Sequence, residues 1–156
     1  MESVGASVNG TERTFWWQGA LMTMKASADE TAGSIGLVEA RFPAHFGPPL
    51  HVHHREDEAF YVLEEEIRFR RGDDEFVAGP GELVFTPREV PHTFRTGERG
   101  ARALVLVTPG GFEEMFVEGG VPGSASEGPP QEEYDNGLLE QLSKKYAFDV
   151  VGPPLD

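Results

Sequence analysis

The sequence contains no cysteine. That excludes a disulfide framework and any thiolate-bound metal, and it leaves five histidines and the carboxylates as the groups able to hold a transition metal. Positive charge is scarce. Thirteen Lys and Arg stand against 27 Asp and Glu, a formal net charge of −14. A chain of that sign is not drawn to phosphate backbones or anionic lipid, so neither nucleic acid nor a membrane is an expected partner. No apolar run approaches the ~20 residues of a spanning helix. The N-terminal MESVGASVNGTERT lacks a basic patch followed by an apolar stretch, so no signal peptide is expected and the chain reads as cytoplasmic. Helical periodicity is also missing until about residue 110.

What the chain does have is apolar mass and punctuation. Of its 156 residues 38% are hydrophobic, including 11 Phe and 2 Trp, enough for the core of one domain. Short alternating runs are separated by DETAGS (29–34), PAHFGPP (43–49), GDD (72–74), Gly79-Pro80-Gly81 and GERG (97–100). In one run Ala59, Tyr61 and Leu63 share one face, with Phe60 and Val62 on the other. About ten such strands predict an all-β antiparallel sandwich or barrel. Residues 1–12 are small and polar and read as a flexible tail. Trp16 and Trp17 suit either a core edge or a contact with a second copy. After residue 110, GFEEMFVEGG reads as a short helix presenting Phe112 and Phe116. YDNGLLEQLSKKY reads as a second helix, with Leu138, Leu139, Leu142 and Tyr146 on one face.

The chemistry concentrates in HVHHREDE (51–58). His51 and His53 are two apart, so on a strand both imidazoles point to one face while His54 points to the other. A carboxylate a turn later can return to the same ion: Glu58, or Asp57 under a shorter spacing. His92, on a later strand, supplies a third imidazole. Three His and one Glu suit Fe, Ni, Mn, Cu or Zn without choosing among them, and leave positions open on a six-coordinate ion. The apolar Phe60-Tyr61-Val62 that follows carries this strand into the core.

With these residues in place, the chain resembles a single-domain cupin over roughly residues 20–110. The first cupin motif, Gly, five residues, HxH, three or four residues, Glu, six residues, Gly, is met by His45, FGPPL, His51-Val52-His53, Glu58 and Glu65. The second, Gly, five residues, Pro-x-Gly, two residues, His, three residues, Asn, is met by Gly81, ELVFT, Pro87-Arg88-Glu89, Val90-Pro91, His92, TFR and Thr96. Every ligand position is filled. Three motif glycines are replaced by His45, Glu65 and Glu89, and the asparagine by Thr96. GPPLHVHHREDEAFYVLE and the tail GFEEMF…GPP are similar to the bacterial quercetin-dioxygenase-like branch.

The resemblance implies an antiparallel double-stranded β-helix, a jelly-roll barrel over residues 13–110, with a helical extension (111–156) packed on it. It implies one divalent metal held by His51, His53, Glu58 and His92. It also implies a dioxygenase or other oxygenase acting with O2 on a small apolar aromatic or enol substrate, with Glu58 also accepting the substrate's proton. A non-redox isomerase, cyclase or lyase, or a binding protein without turnover, are the alternatives. Candidate pocket residues are Met22, Met24, Phe46, Phe112 and Phe116 as wall or lid. Phe60, Phe85, Phe94, Leu104 and Leu106 are placed in the interior, as core or pocket wall, and His45 at the mouth. A homodimer is expected.

Overall fold

The computed structural model describes residues 13–131 and 136–156, so the tail expected over residues 1–12 lies outside the described residues. β1 (Arg13–Trp17) and β2 (Ala20–Ala26) form a hairpin. Its two turn residues, Gln18 and Gly19, both have positive φ (50° and 85°), which matches the right-handed twist of the flanking strands. A 3-10 turn, Asp29–Thr31, leads into β3 (Gly36–Phe42), β4 (Leu50–His53) and β5 (Asp57–Glu64). Then follow β6 (Ile67–Arg71), β7 (Asp74–Ala78), β8 (Leu83–Thr86), β9 (His92–Thr96) and β10 (Ala101–Thr108). The last third holds α1 (Glu114–Gly119), β11 (Val121–Pro122), α2 (Asn136–Lys145) and β12 (Phe148–Gly152).

Among the described residues the strands make two antiparallel sheets, β11-β1-β2-β3-β10-β5-β8 and β12-β4-β9-β6-β7. From β3 onward the chain passes repeatedly from one sheet to the other, with β4 in one, β5 in the other, then β6 and β7 back in the first. This is the all-β, double-stranded jelly roll expected from the sequence. α2 lays Leu142 on the barrel, with Leu138 and Leu139 partly buried beside it, and Tyr146, just past its end, is buried in the same core. Among the described residues no helix is long and apolar enough to cross a membrane.

The core follows the two-residue period of the strands. β10 turns Ala101, Ala103, Val105 and Val107 inward, and Val105 pairs with Val38 on β3 and Phe60 on β5. Phe69 on β6 is fully buried, its ring centroid 5.3 Å from Phe60, 5.9 Å from Phe94 and 5.9 Å from Phe76. Trp17 is buried in the same core, not presented to a second copy.

Three expectations are corrected. Leu104 and Leu106 lie on the outer face of β10, half-buried, because the inward set is the alternate one. Phe85 is likewise outward on β8 and 48% exposed, while Val84 and Thr86 point in. On β10 Arg102 and Thr108 share the outward face with Leu104 and Leu106, whereas on β8 the polar Thr86 is on the inward face and misleads; pairing with β5 sets the phase, Glu58 opposite Thr86 and Phe60 opposite Val84. The C-terminal extension is not wholly helical either. Its last segment, β12, is a strand of the five-stranded sheet, paired with β4.

The residues standing at the glycine positions of the motifs keep the backbone that glycine would serve: φ is 54° at His45, 64° at Glu65 and 67° at Glu89. A side chain there costs on the order of 1–2 kcal/mol, partly offset because glycine loosens the unfolded chain. Glu65 is exposed, and its ion pair to the largely exposed Arg99, at 3.7 Å, adds little. Glu65→Gly should therefore stabilise the protein by about 0.5–1 kcal/mol, read as a higher midpoint in urea with an unchanged slope.

Candidate metal centre

β4 and β9 are neighbours in the five-stranded sheet, and their register sets His51 directly opposite His92. Their ring centroids are 4.4 Å apart. His53, two residues along β4, lies on the same face, 5.0 Å from His51 and 5.5 Å from His92. Glu58 comes from β5 in the opposite sheet and crosses the barrel to them. Its Oε1 is 2.9 Å from His92 Nε2 and 3.9 Å from His53 Nε2. The four ligand atoms all lie within 4.8 Å of one another. Asp57, the alternative carboxylate, is drawn away to the surface, where Arg88 binds it through its backbone N–H and its guanidinium.

The electrostatics are those of a site built for a cation. His53, Glu58 and His92 are buried and His51 is half-buried. Burial, with the neighbouring His92 and His53, pushes the His51 imidazole down to about 3. Burial and His92 also push His53 down, against the opposing pull of Glu58. Burial would push Glu58 up, but the His92 hydrogen bond and the adjacent imidazoles outweigh it and hold the carboxyl at about 2. At neutral pH the cluster therefore offers uncharged His51 and His53 imidazoles with a buried carboxylate. Among the described residues His53 Nε2, which faces Glu58 and the other imidazoles, has no hydrogen-bond partner, a position that is costly unless something coordinates it. His51 Nδ1–H donates to the Pro49 carbonyl at 2.9 Å, which leaves Nε2 as its ligand atom. An N3O donor set of this kind fits a divalent first-row ion.

The backbone around the ligands is held by a few specific bonds. Thr86 Oγ1–H donates to the Glu58 carbonyl (3.0 Å), and the Glu89 N–H to the His53 carbonyl (2.8 Å). His54 points away, as strand alternation requires, and sits exposed between Glu89 and Asp149.

A cavity of about 110 Å³ opens above His51, His53 and Glu58. Six of the candidate pocket residues line it: Met22, Phe46, Phe60, Phe94, Phe112 and Phe116. Besides the outward-facing Phe85, Leu104 and Leu106, two more candidates do not. Met24 is buried in the core but is not in the lining. His45 is exposed on its turn, its N–H bound to the Gly97 carbonyl, and does not reach the mouth. The wall also takes in residues that the sequence did not suggest. Phe148 and Val150 of β12 line it, pairing across from His53 and His51. Phe112 packs on the His53 ring at 4.4 Å and Phe148 on the Phe112 ring at 5.8 Å. Trp17, Gln18 and Leu139 also line the space. The helical period makes Leu139 legible as part of an apolar face, but no local signal ties β12 to β4.

Comparison with known proteins agrees with this geometry. Residues 38–108, which contain all four candidate ligands, match the family model described as a cupin domain. No curated protein matches the chain significantly. Among solved structures it is similar to KdgF from Halomonas sp., at 16% identity over 70% of this chain and 94% of that one, TM-score 0.58. It is similar to an RmlC-like cupin from Shewanella frigidimarina, at 19% identity over 69% and 92%, TM-score 0.58. A variant of oxalate decarboxylase from Bacillus subtilis matches at 22% identity over 64% of this chain but only 28% of that one, TM-score 0.55. At these identities the likeness is one of fold. The chain thus has a cupin-like jelly-roll fold in which residues 38–108 are similar to a cupin domain, with a His51/His53/Glu58/His92 group suited to a metal ion.

His92→Ala should remove most bound metal while the far-UV circular dichroism stays that of the folded barrel; His54→Ala should retain the metal. Full metal content in His92→Ala by elemental analysis would rule out the site as drawn.

Proposed function

We propose that this protein is a metal-dependent oxygenase that acts with O2 on a small apolar substrate bearing an aromatic or enol group, in the manner of the quercetin-dioxygenase-like cupins. One observation carries the reading: three imidazoles and a carboxylate converge beside a cavity that, Gln18 apart, is otherwise lined by apolar and aromatic side chains. His51, His53, His92 and Glu58 would hold the ion. Bound there, a redox-active Fe, Ni, Mn or Cu would supply redox chemistry with O2 and Lewis acidity toward a substrate oxygen.

The chain's own side chains do the remaining work. Phe60, Phe94 and Phe112 enclose the apolar body of the substrate and exclude water, which strengthens every polar interaction inside. Glu58 is the general base. It is the one carboxylate among the described lining residues, and so the one placed to accept the proton of the substrate hydroxyl as that oxygen binds. We place the protein in the cytoplasm as a homodimer; the exposed Tyr61, Leu83 and Phe85 give the seven-stranded sheet an apolar outer surface that a second copy would cover.

The test is oxygen consumption with flavonols and simple enols after reconstitution with Fe(II), Ni(II) or Mn(II). O2 uptake should match substrate loss, and Glu58→Gln, scored per bound metal, should lower the rate about 100-fold or more. Turnover that is unchanged under anaerobic conditions would replace this reading with a non-redox isomerase, cyclase or lyase. A ligand-dependent rise in melting temperature with no product would leave a binding protein.

A further inference from the structure

We propose that the cavity selects ligands carrying one negative charge, at the metal-binding end, and none elsewhere, and that Gln18 at its mouth helps set this selection. The inference rests on the metal-centred reading above and concerns binding rather than reaction.

The charge balance of the site leads to it. Metal-bound imidazoles are neutral. A divalent ion with three of them and the Glu58 carboxylate therefore carries a net single positive charge. A ligand that arrives with one ionised oxygen, leaving Glu58 as the carboxylate, brings the buried centre to neutrality. A second negative charge would have no partner there, because the described lining contains no Lys and no Arg. The nearby arginines face outward into ion pairs: Arg88 with Asp57 at 3.2 Å, and Arg102 with Glu39 at 2.6 Å and Glu64 at 3.0 Å. A carboxylate on the body of the ligand would be desolvated against Met22, Phe46, Phe116 and Phe148, and burying an unpaired charge is strongly unfavourable. The net charge of −14 adds a long-range penalty for polyanions.

Gln18 is the exception in this wall. Apart from the ligands, it and the Trp17 indole are the lining side chains that carry a nitrogen or oxygen. It stands on the β1–β2 turn with φ of 50°, exposed, so it borders the cavity where the cavity meets solvent. Its amide is uncharged: it can bond a hydroxyl or a carbonyl, but it cannot neutralise a carboxylate.

The test uses Zn(II)-loaded protein, since zinc has no redox chemistry and binding is then read whether or not the protein consumes O2. Isothermal titration compares benzohydroxamic acid, its 4-carboxy derivative and oxalate. Benzohydroxamate should bind about tenfold or more tighter than either of the others, and Gln18→Lys should narrow the gap within the hydroxamate pair about threefold or more. Val150→Lys, 50% exposed at the same cavity, should act in the same direction. Equal affinity for the two hydroxamates, tighter binding of oxalate, or no binding of any probe to fully zinc-loaded protein would overturn the proposal. An unchanged gap in both lysine variants would overturn the part given to the mouth. Failure to take up zinc at all, read as metal content, would overturn the metal-centred reading and this proposal with it.

Discussion

Glu58 has to cross the barrel, and the rest of the structure is arranged around that fact. Its carboxylate is buried at 4% exposure and starts from one sheet, while His51, His53 and His92 start from the other. An isolated buried carboxylate is among the costliest things a fold can contain. Here the contact with His92 Nε2 at 2.9 Å is what compensates it within the protein, and a bound cation would compensate it fully. Barrel closure and assembly of the site are therefore one event. Neither sheet alone holds a complete ligand set, and neither can place Glu58 without the other.

That dependence explains why the last third of the chain matters to a site whose ligands all lie before residue 93. β12 sits at the edge of the five-stranded sheet and pairs with β4, the strand that carries two of the imidazoles. Phe148 lies 6.1 Å from the His53 ring and seals it together with Phe112. The strand is held at both ends. Before it, Glu118 on α1 accepts from Lys145 Nζ (2.8 Å) and from Tyr146 O–H (2.6 Å). After it, the Leu155 and Asp156 carbonyls accept from Arg95 and Arg68 on strands of the same sheet. The segment that looks like an appendage is a wall of the cavity, packed against the His53 ring.

The ligands are legible in the sequence because their signal is polar. Histidines at alternate positions, running directly into an apolar strand, would be wasteful as mere surface polarity, and the alternation gives β4 a definite phase. That alternation turns His54 outward, and a separate one on β5, in phase with Glu58, puts Phe60 and Val62 inside, as the structure has them. Legibility fails where it relies on hydrophobicity alone. In LVFT the one polar residue, Thr86, lies on the inward face and gives the wrong phase for Phe85, while in β10 Arg102 and Thr108 share the face of Leu104 and Leu106 and mark it outward, a signal easily lost beside the apolar run between them. The phase is recoverable from Glu58: Phe60 follows it by two, and the cross-strand partners of those two residues, Thr86, Val84, Val107 and Val105, are the inward set. β12 is not recoverable in this way. Its short FDVVG carries an Asp and a Gly, and its pairing with a strand nearly a hundred residues earlier has no local signature.

The replaced motif glycines show how a strained position can be put to use or simply endured. All three substitutes keep positive φ, so the turn geometry is imposed by the barrel and not by the residue. At Glu65 the side chain gains little from its long, exposed ion pair. At Glu89 it gains a place in a chain of contacts. The His54 ring lies 2.7 Å from Asp149 and 3.1 Å from Glu89, and the two carboxylates, Asp149 foremost, hold the imidazole above its usual range. Asp149 belongs to β12 and Glu89 to the turn before His92. His54 thus links three segments on the outside of the barrel at the level where its neighbour His53 meets the cavity inside. An exposed network of this kind contributes little to stability by itself. Its position, spanning the wall strand, the β4 ligands and the turn that delivers His92, means that a carboxylate in place of glycine at 89 serves the alignment of the same elements that Glu58 ties together from within.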